Sequence, residues 1–100
     1  MEIYDSDKRG KRLVALFEDG DYTYFGLEGG ITYIDVGNKE MRKNYLARHR
    51  LNENWDDYKS AGALSRWILW GDSTDIDKNI ASYKKRFNLN VRLTGRLRNF

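Results

Sequence analysis

Residues 61–70, AGALSRWILW, constrain the fold of this 100-residue chain more than any other segment. Only Ser65 and Arg66 among them are clearly polar. A helix that is apolar almost all round is buried and packs against neighbours on more than one side. Trp67 and Trp70 are three residues apart, so they lie on one face of such a helix. The segment therefore predicts a single domain built around one buried helix, with both indoles in its core.

The first third of the chain has apolar runs of strand length that are separated by turns. Residues 13–17 and 22–25 flank the turn 18–21, which contains the Asp-Gly pair that is common in hairpins. Residues 31–36, ITYIDV, are a third run with a good propensity for a pleated surface. We expect these runs to form a three-stranded antiparallel meander. The polar residues before them, 1–11, are expected to be a flexible N-terminal segment.

Helical spacing of the apolar residues begins after the third run. Asn38 is expected to cap a first helix over 39–51, and Ser60 to cap the buried helix, because their side-chain oxygens can accept from exposed helical N–H groups. Gly71 is expected to end the buried helix in a left-handed conformation. Residues 72–79, DSTDIDKN, begin a third helix that Ser73 or Thr74 is expected to cap, and its apolar stripe consists of Ile76, Ile80, Tyr83 and Phe87. The predicted fold class is therefore α+β, a meander followed by three helices.

The positive charge of the chain is concentrated at its C-terminal end. The net charge is +3, but residues 84–100 hold six of the 18 basic residues and none of the 15 acidic ones, so the rest of the chain is net negative. We expect a single domain over 12–88 and a basic, extended tail over 89–100. Apolar and polar residues alternate in this tail, which favours docking on a protein as an added strand. Binding to phosphates and a solvated tail remain the alternatives.

Composition excludes several classes of site. The chain has no cysteine, so disulfides, thiolate metal ligands and cysteine nucleophiles are excluded. No apolar run approaches the ~20 residues that span a bilayer. The glycine-rich segment 26–30 lacks the lysine and the helix of a phosphate-binding loop. We therefore expect no cofactor, no resident metal and no membrane span.

The single histidine, His49, lies in a charged segment, ARHRLNENWDD, at residues 47–57. His49 and Glu53 are four residues apart and would share a helical face, but two ligands do not make a metal site and no nucleophile is evident nearby. We interpret the segment as a structural knot of charged and aromatic side chains that joins the first helix to the loop before the buried helix. An arginine stacked on Trp55 would add about 0.5–2 kcal/mol. A nucleic-acid role of the same arginines and a catalytic role of His49 are the competing interpretations.

Four motifs carry a family resemblance. They are YLARH at 45–49, ENW at 53–55, AGALSRWILW at 61–70 and KRF at 85–87. With these motifs the chain resembles small proteins encoded by large double-stranded DNA viruses of algae and protists, over residues 12–90. The proline that such proteins often have near position 57 is absent. The resemblance implies a viral setting and supplies no catalytic residue.

These observations together predict a non-enzymatic structural or interaction protein of a large DNA virus, such as a minor capsid protein or another packaged virion component. We expect it in the virion or in the cytoplasm of the infected host, in contact with other viral capsid proteins. The alternative is a nucleic-acid-binding protein that uses the basic tail and the arginines of the first helix. The expected contact residues are Arg42, Lys43, Arg50, Lys84, Lys85, Arg92, Arg96 and Arg98. The expected structural residues are Tyr45, Arg48, His49, Trp55, Leu64, Trp67, Trp70, Ile80 and Phe87.

Overall fold

The computed structural model describes residues 1–89 of the chain. Three strands, β1 (Glu2–Asp5), β2 (Lys11–Leu16) and β3 (Tyr22–Leu27), form an antiparallel meander in the order β1-β2-β3. The helices that follow within this range are α1 (Tyr33–Val36), α2 (Lys39–His49), α3 (Ala61–Leu64) and α4 (Ile76–Arg86). A π-helical turn, Ser65–Leu69, continues α3. The predicted α+β class, with a three-stranded antiparallel meander before the helices, is confirmed.

One strand of the meander comes from the N-terminus and not from residues 31–36. β1 pairs with β2 in antiparallel register, with Tyr4 opposite Val14. Met1 is 5% exposed and belongs to the core. The expected flexible segment over 1–11 is therefore corrected, because pairing with a neighbouring strand orders residues whose own composition is polar.

Residues 31–36 form a short helix instead of a strand because Asp35 holds their backbone. The N–H and the hydroxyl of Thr32 donate to the Asp35 carboxylate at 2.7 and 2.8 Å. Arg12 on β2 donates two further hydrogen bonds to it, at 2.9 and 2.7 Å. The Arg12 guanidinium holds the pKa of Asp35 well below its usual range. A side-chain network that includes a distant strand thus overrides the β propensity of this segment.

One face of the sheet packs against the helices and forms the core. The largest fully buried side chains are Phe25, Leu64, Ile68, Leu69 and Tyr83. Complete burial of an apolar side chain of this size contributes about 1.5–3 kcal/mol. The Tyr83 hydroxyl donates to the carbonyl of Tyr58, which satisfies its buried oxygen. The predicted buried helix is therefore confirmed, with Trp70 enclosed and Trp67 only partly buried.

The predicted N-caps Asn38 and Ser60 are confirmed, whereas the predicted C-cap is wrong and Asp75 caps α4 in place of Ser73 or Thr74, because its side chain accepts from the N–H of Asp77. Asn38 Oδ1 and Ser60 Oγ each accept from an N–H in the first turn of their helix, at 3.0 and 3.1 Å. Gly71 is buried and does not adopt a left-handed conformation. A Cβ at this position would lie 2.4 Å from the carbonyl oxygen of Trp67. Glycine is therefore required here by close packing and not by a cap.

The predicted basic tail lies almost entirely outside the described residues. Leu89 packs against the core, and the expected contact residues Arg92, Arg96 and Arg98 follow residue 89.

Each helix within residues 1–89 is too short or too polar to span a bilayer.

Candidate functional site: a cleft beside His49

A cleft of about 470 Å³ opens between the turn after β3, helix α2, the loop after α2 and the helix α3 with its π-helical turn. Its main side chains are Leu27, Ile31, Tyr45, His49, Glu53 and Trp70. Leu27 and Ile31 are 70% and 63% exposed. Ligand sites in proteins have volumes of roughly 300–1,000 Å³ and combine apolar walls with a few polar groups. This cleft has both properties.

Helix α2 is held over the cleft by stacked rings and not by a buried apolar stripe. None of its residues is buried. The Tyr45 ring lies 4.1 Å from the indole of Trp70 and 4.0 Å from the imidazole of His49, and both pairs are stacked. Burial and, to a smaller extent, the Glu53 carboxylate raise the pKa of Tyr45 to about 12. The stack attaches the helix to the end of the buried helix.

A chain of hydrogen bonds continues from His49 into the loop. His49 Nδ1 and Glu53 Oε2 are 2.8 Å apart, and Trp55 Nε1 donates to Glu53 Oε1 at 3.0 Å. Trp67 Nε1 then donates to the carbonyl of Trp55 at 3.0 Å. Both oxygens of the Glu53 carboxylate are therefore engaged. Because Nδ1 faces a carboxylate, it carries the proton in the neutral ring, and Nε2 is left as an acceptor.

Glycine at position 62 allows Glu53 to approach α3. A Cβ at Gly62 would lie 3.1–3.2 Å from three atoms of the Glu53 side chain. Such contacts are tighter than ordinary van der Waals separation, so a larger residue would push Glu53 away from His49 and Trp55. Gly62 is therefore required for the close approach of Glu53 to α3.

Two arginines hold the C-terminal end of the π-helical turn. Arg42 Nε donates to the carbonyls of Trp70 and Gly71, at 3.1 and 3.0 Å, and Arg66 Nη1 donates to Trp70 at 3.2 Å. Cations at this end of a helix are favoured by its dipole. Burial lowers the pKa of Arg66, and the positive charge of Arg42 lowers it further. The arginine that lies over Trp55 is Arg66, whose guanidinium carbon is 5.1 Å from the centroid of the Trp55 ring.

The expected contact residues within residues 1–89 lie on or next to two helices, α2 and α4. Arg42 is half-buried and also pairs with Asp72, at 2.8 Å, so it acts within the fold. Lys43 and Arg50 are exposed on and just after α2, whereas Lys84 and Lys85 lie in the last turn of α4.

The expected structural residues occupy several environments. Leu64 is fully buried and Trp70 is 7% exposed. Arg48 is exposed. The partly buried ones are Tyr45, His49, Trp55, Trp67, Ile80 and Phe87.

Leu27 and Ile31 are the cleft residues that the sequence pattern does not reveal as functional. They lie on either side of a glycine pair: Ile31 begins the third predicted run, and Leu27 begins the turn before it. Their position next to a glycine-rich turn indicates a binding role only weakly, because an apolar residue beside a turn often belongs to the core. Only their exposure distinguishes them.

Within residues 1–89, no group of three or more His, Cys, Asp or Glu side chains is arranged to hold a metal ion. The cleft offers apolar walls, a ring-nitrogen acceptor and a carboxylate whose oxygens are both bonded. This arrangement is suited to binding an apolar group that carries a hydrogen-bond donor.

Comparisons with known proteins place the chain in a family. The model of a family of unknown function, DUF5754, matches residues 1–49, which include the sheet, α1 and α2. Uncharacterized protein L851 of Acanthamoeba polyphaga mimivirus is 36% identical over 80 residues, which cover 70% of this chain and 80% of that protein. No solved structure matches the chain. The chain therefore belongs to one family with this uncharacterized giant-virus protein, and its residues 1–49 match the DUF5754 model.

Proposed function

We propose that this protein is a non-enzymatic interaction protein of a giant virus, packaged in the virion, and that it binds an apolar segment of another viral protein in the cleft beside His49. The observation that carries the proposal is the exposure of Leu27 and Ile31 at the rim of a concave cleft. Large apolar side chains that stay exposed beside a hollow mark interaction sites in soluble proteins.

The exposed rim can supply a useful part of the binding energy. Covering Leu27 and Ile31, which are 70% and 63% exposed, would contribute roughly 2–4 kcal/mol. This corresponds to about 30- to 1,000-fold in affinity. The stacked rings below the rim add a rigid surface that loses little conformational entropy when a partner binds.

The polar groups of the cleft can support the loop and orient a bound partner. Glu53 already bonds His49 and Trp55 with its two oxygens, so its carboxylate supports the loop. The remaining acceptor, Nε2 of His49, can receive one hydrogen bond from a bound partner and so orient it.

Site-specific photo-cross-linking tests the proposal. A photoreactive phenylalanine analogue at position 31, expressed during infection, should capture one virion protein. The same analogue at Leu51, which is 82% exposed and does not line the cleft, is the matched control and should not capture it. Absence of the chain from purified virions, or equal capture at both positions, would contradict the proposal.

Nucleic-acid binding is a second candidate function, favoured by the cations around Trp67. The guanidinium groups of Arg66 and Arg86 lie 4.0 and 3.6 Å from the centroid of its ring. Lys85 and Arg86 line a hollow of about 390 Å³ beside Trp67. Phosphate contacts would make the affinity fall steeply with salt.

Fluorescence anisotropy with a labelled single-stranded oligonucleotide tests this second candidate. The double variant Lys85→Ala and Arg86→Ala should reduce the salt slope by about 1.5, as expected for two lost phosphate contacts. The control variant, Lys39→Ala on α2, should leave the slope unchanged. Binding that does not depend on salt would exclude this function.

A further inference from the structure

The outer face of the sheet carries tyrosine, leucine and valine side chains that the helices do not cover. The tyrosine face, as we call it, consists of Tyr4, Val14, Leu16, Tyr22 and Tyr24. Tyr4, Val14 and Tyr24 are cross-strand partners in one row, and Leu16 and Tyr22 are partners in the next. Tyr22 is 63% exposed, Tyr4 52% and Leu16 41%. A contiguous exposed apolar surface of this kind marks an interaction site.

Carboxylates border the tyrosine face. Asp5 and Asp7 line the same hollow of about 390 Å³ as the tyrosines, and Glu2 is the cross-strand partner of Leu16. The Asp7 carboxylate accepts from the Tyr24 hydroxyl at 2.7 Å, and this bond raises the pKa of Tyr24. The face is therefore apolar in its centre and negative at its border.

A cation already rests on one ring of this face. Lys8 Nζ lies 5.3 Å from the centroid of the Tyr24 ring. Cations bind aromatic faces within about 6 Å because the ring quadrupole attracts them. The exposed rings of Tyr4 and Tyr22 can receive a lysine or arginine side chain of a partner in the same way, with carboxylates nearby.

We propose that the tyrosine face binds an extended segment of a partner protein in which apolar residues and arginine or lysine share one face of the strand. Successive side chains of a strand point to opposite faces, so residues two positions apart both lie against the sheet. The apolar side chains would cover Leu16 and Tyr22, and the cations would reach Asp5 and Asp7. This surface is separate from the cleft beside His49, so the protein has two docking surfaces and can join two partners.

Charge disfavours nucleic acid as the occupant of this face. A nucleic-acid backbone would bring phosphates next to Asp5 and Asp7 and would be repelled. Like charges across an interface are strongly unfavourable.

Binding of two synthetic peptides to the full chain, followed by NMR chemical shifts, tests the inference. A peptide with arginine, leucine and valine at every second position and serine between them should shift the resonances of Tyr4, Tyr22 and Tyr24. A peptide with glutamate in place of arginine should not bind. Equal binding of both peptides, or shifts at Ile31 instead of the tyrosines, would overturn the inference.

Matched variants connect the binding to the named groups. Asp5→Asn with Asp7→Asn should weaken binding of the basic peptide about tenfold, because two surface charge pairs are lost. Asp7→Asn keeps an oxygen that accepts from Tyr24, so the sheet should stay folded. Asp56→Asn with Asp57→Asn, on the exposed loop, is the control and should not change the affinity.

A second measurement separates this surface from its alternatives. The variant Ile31→Ser, which changes the cleft, should leave peptide binding unchanged even if the proposed function of the cleft fails. Tyr22→Ala should weaken peptide binding about tenfold, since exposed aromatic residues at an interface are frequent hot spots. A concentration-dependent dimer that Tyr22→Ala abolishes would overturn the inference in favour of self-association.

Discussion

Replacing Asn79 by aspartate is expected to destabilise the protein strongly, although the two side chains have the same shape. Asn79 lies in α4 and is 3% exposed. Its Nδ2 donates to the carbonyls of Ile68 and Ser73, at 2.9 and 2.7 Å, and its Oδ1 accepts from the Ser73 N–H at 3.2 Å. A carboxylate cannot donate, so in the variant a negatively charged oxygen would face two carbonyl oxygens.

The magnitude follows from these contacts. Loss of two buried hydrogen bonds costs about 2 kcal/mol, since each contributes about 1 kcal/mol. The unsatisfied carbonyls and the buried charge add about 1–3 kcal/mol. We expect a total loss of about 3–5 kcal/mol near neutral pH, a large part of the ~5–15 kcal/mol that stabilises a typical domain.

The loss should depend on pH. Burial and the facing carbonyls disfavour the charged form, so the folded-state pKa of the new carboxyl should lie above its unfolded value of about 3.9. A protonated carboxyl can donate one of the lost hydrogen bonds. The variant is therefore expected to be closer to the parent protein at about pH 4 than at about pH 7, because the folded state then binds its proton.

Urea unfolding followed by tryptophan fluorescence measures both effects. Asn44→Asp is the matched control, because Asn44 is exposed on α2, and it should change the free energy of unfolding by less than about 0.5 kcal/mol. A loss below about 1 kcal/mol for Asn79→Asp at about pH 7 would refute the role of this amide in joining α4 to the π-helical turn.

Three further changes test other parts of the structure. Gly71→Ala should cost at least about 2 kcal/mol in urea unfolding, because the new Cβ would lie 2.4 Å from the Trp67 carbonyl oxygen. Asp35→Asn should cost about 1 kcal/mol near neutral pH, since the pair with Arg12 is partly exposed. The Asp35 pKa is lowered in the folded state, so this contribution is present above pH ~4 and is lost as the pH falls; unfolding curves of variant and parent should converge in acid. Tyr45→Leu should remove the ring stack and cost about 1–2 kcal/mol, and hydrogen exchange should show faster exchange confined to α2.

The elements that could be predicted from sequence are those whose signals lie within a few residues. Asn38 and Ser60 cap their helices through bonds to residues three positions away. The pairing of His49 with Glu53 across four residues is similarly local. The π-helical form of Ser65–Leu69 has no comparable local signal, because its backbone is set by the packing around it.

The origin of the third strand shows where local signals fail. Residues 31–36 were expected to pair with the strand over 22–25, whereas the observed strand β1 pairs with β2 at the other edge of the sheet. Arg12 binds Asp35 from 23 residues away and stabilises the helical turn at 33–36. Strand propensity mainly reports how a residue fits its neighbours in a sheet, so it cannot select the partner.

By itself, the sequence determined the α+β class, the buried helix and its cap, since these depend on the period of apolar residues and on short-range hydrogen bonds. Only the tertiary structure decided which surfaces remain open. Leu27 and Ile31 meet the His49 region across a cleft, and the tyrosines of three strands form one face, because chain segments far apart in sequence are brought together. Exposure is a property of that assembly, and a residue's own chemistry does not determine it.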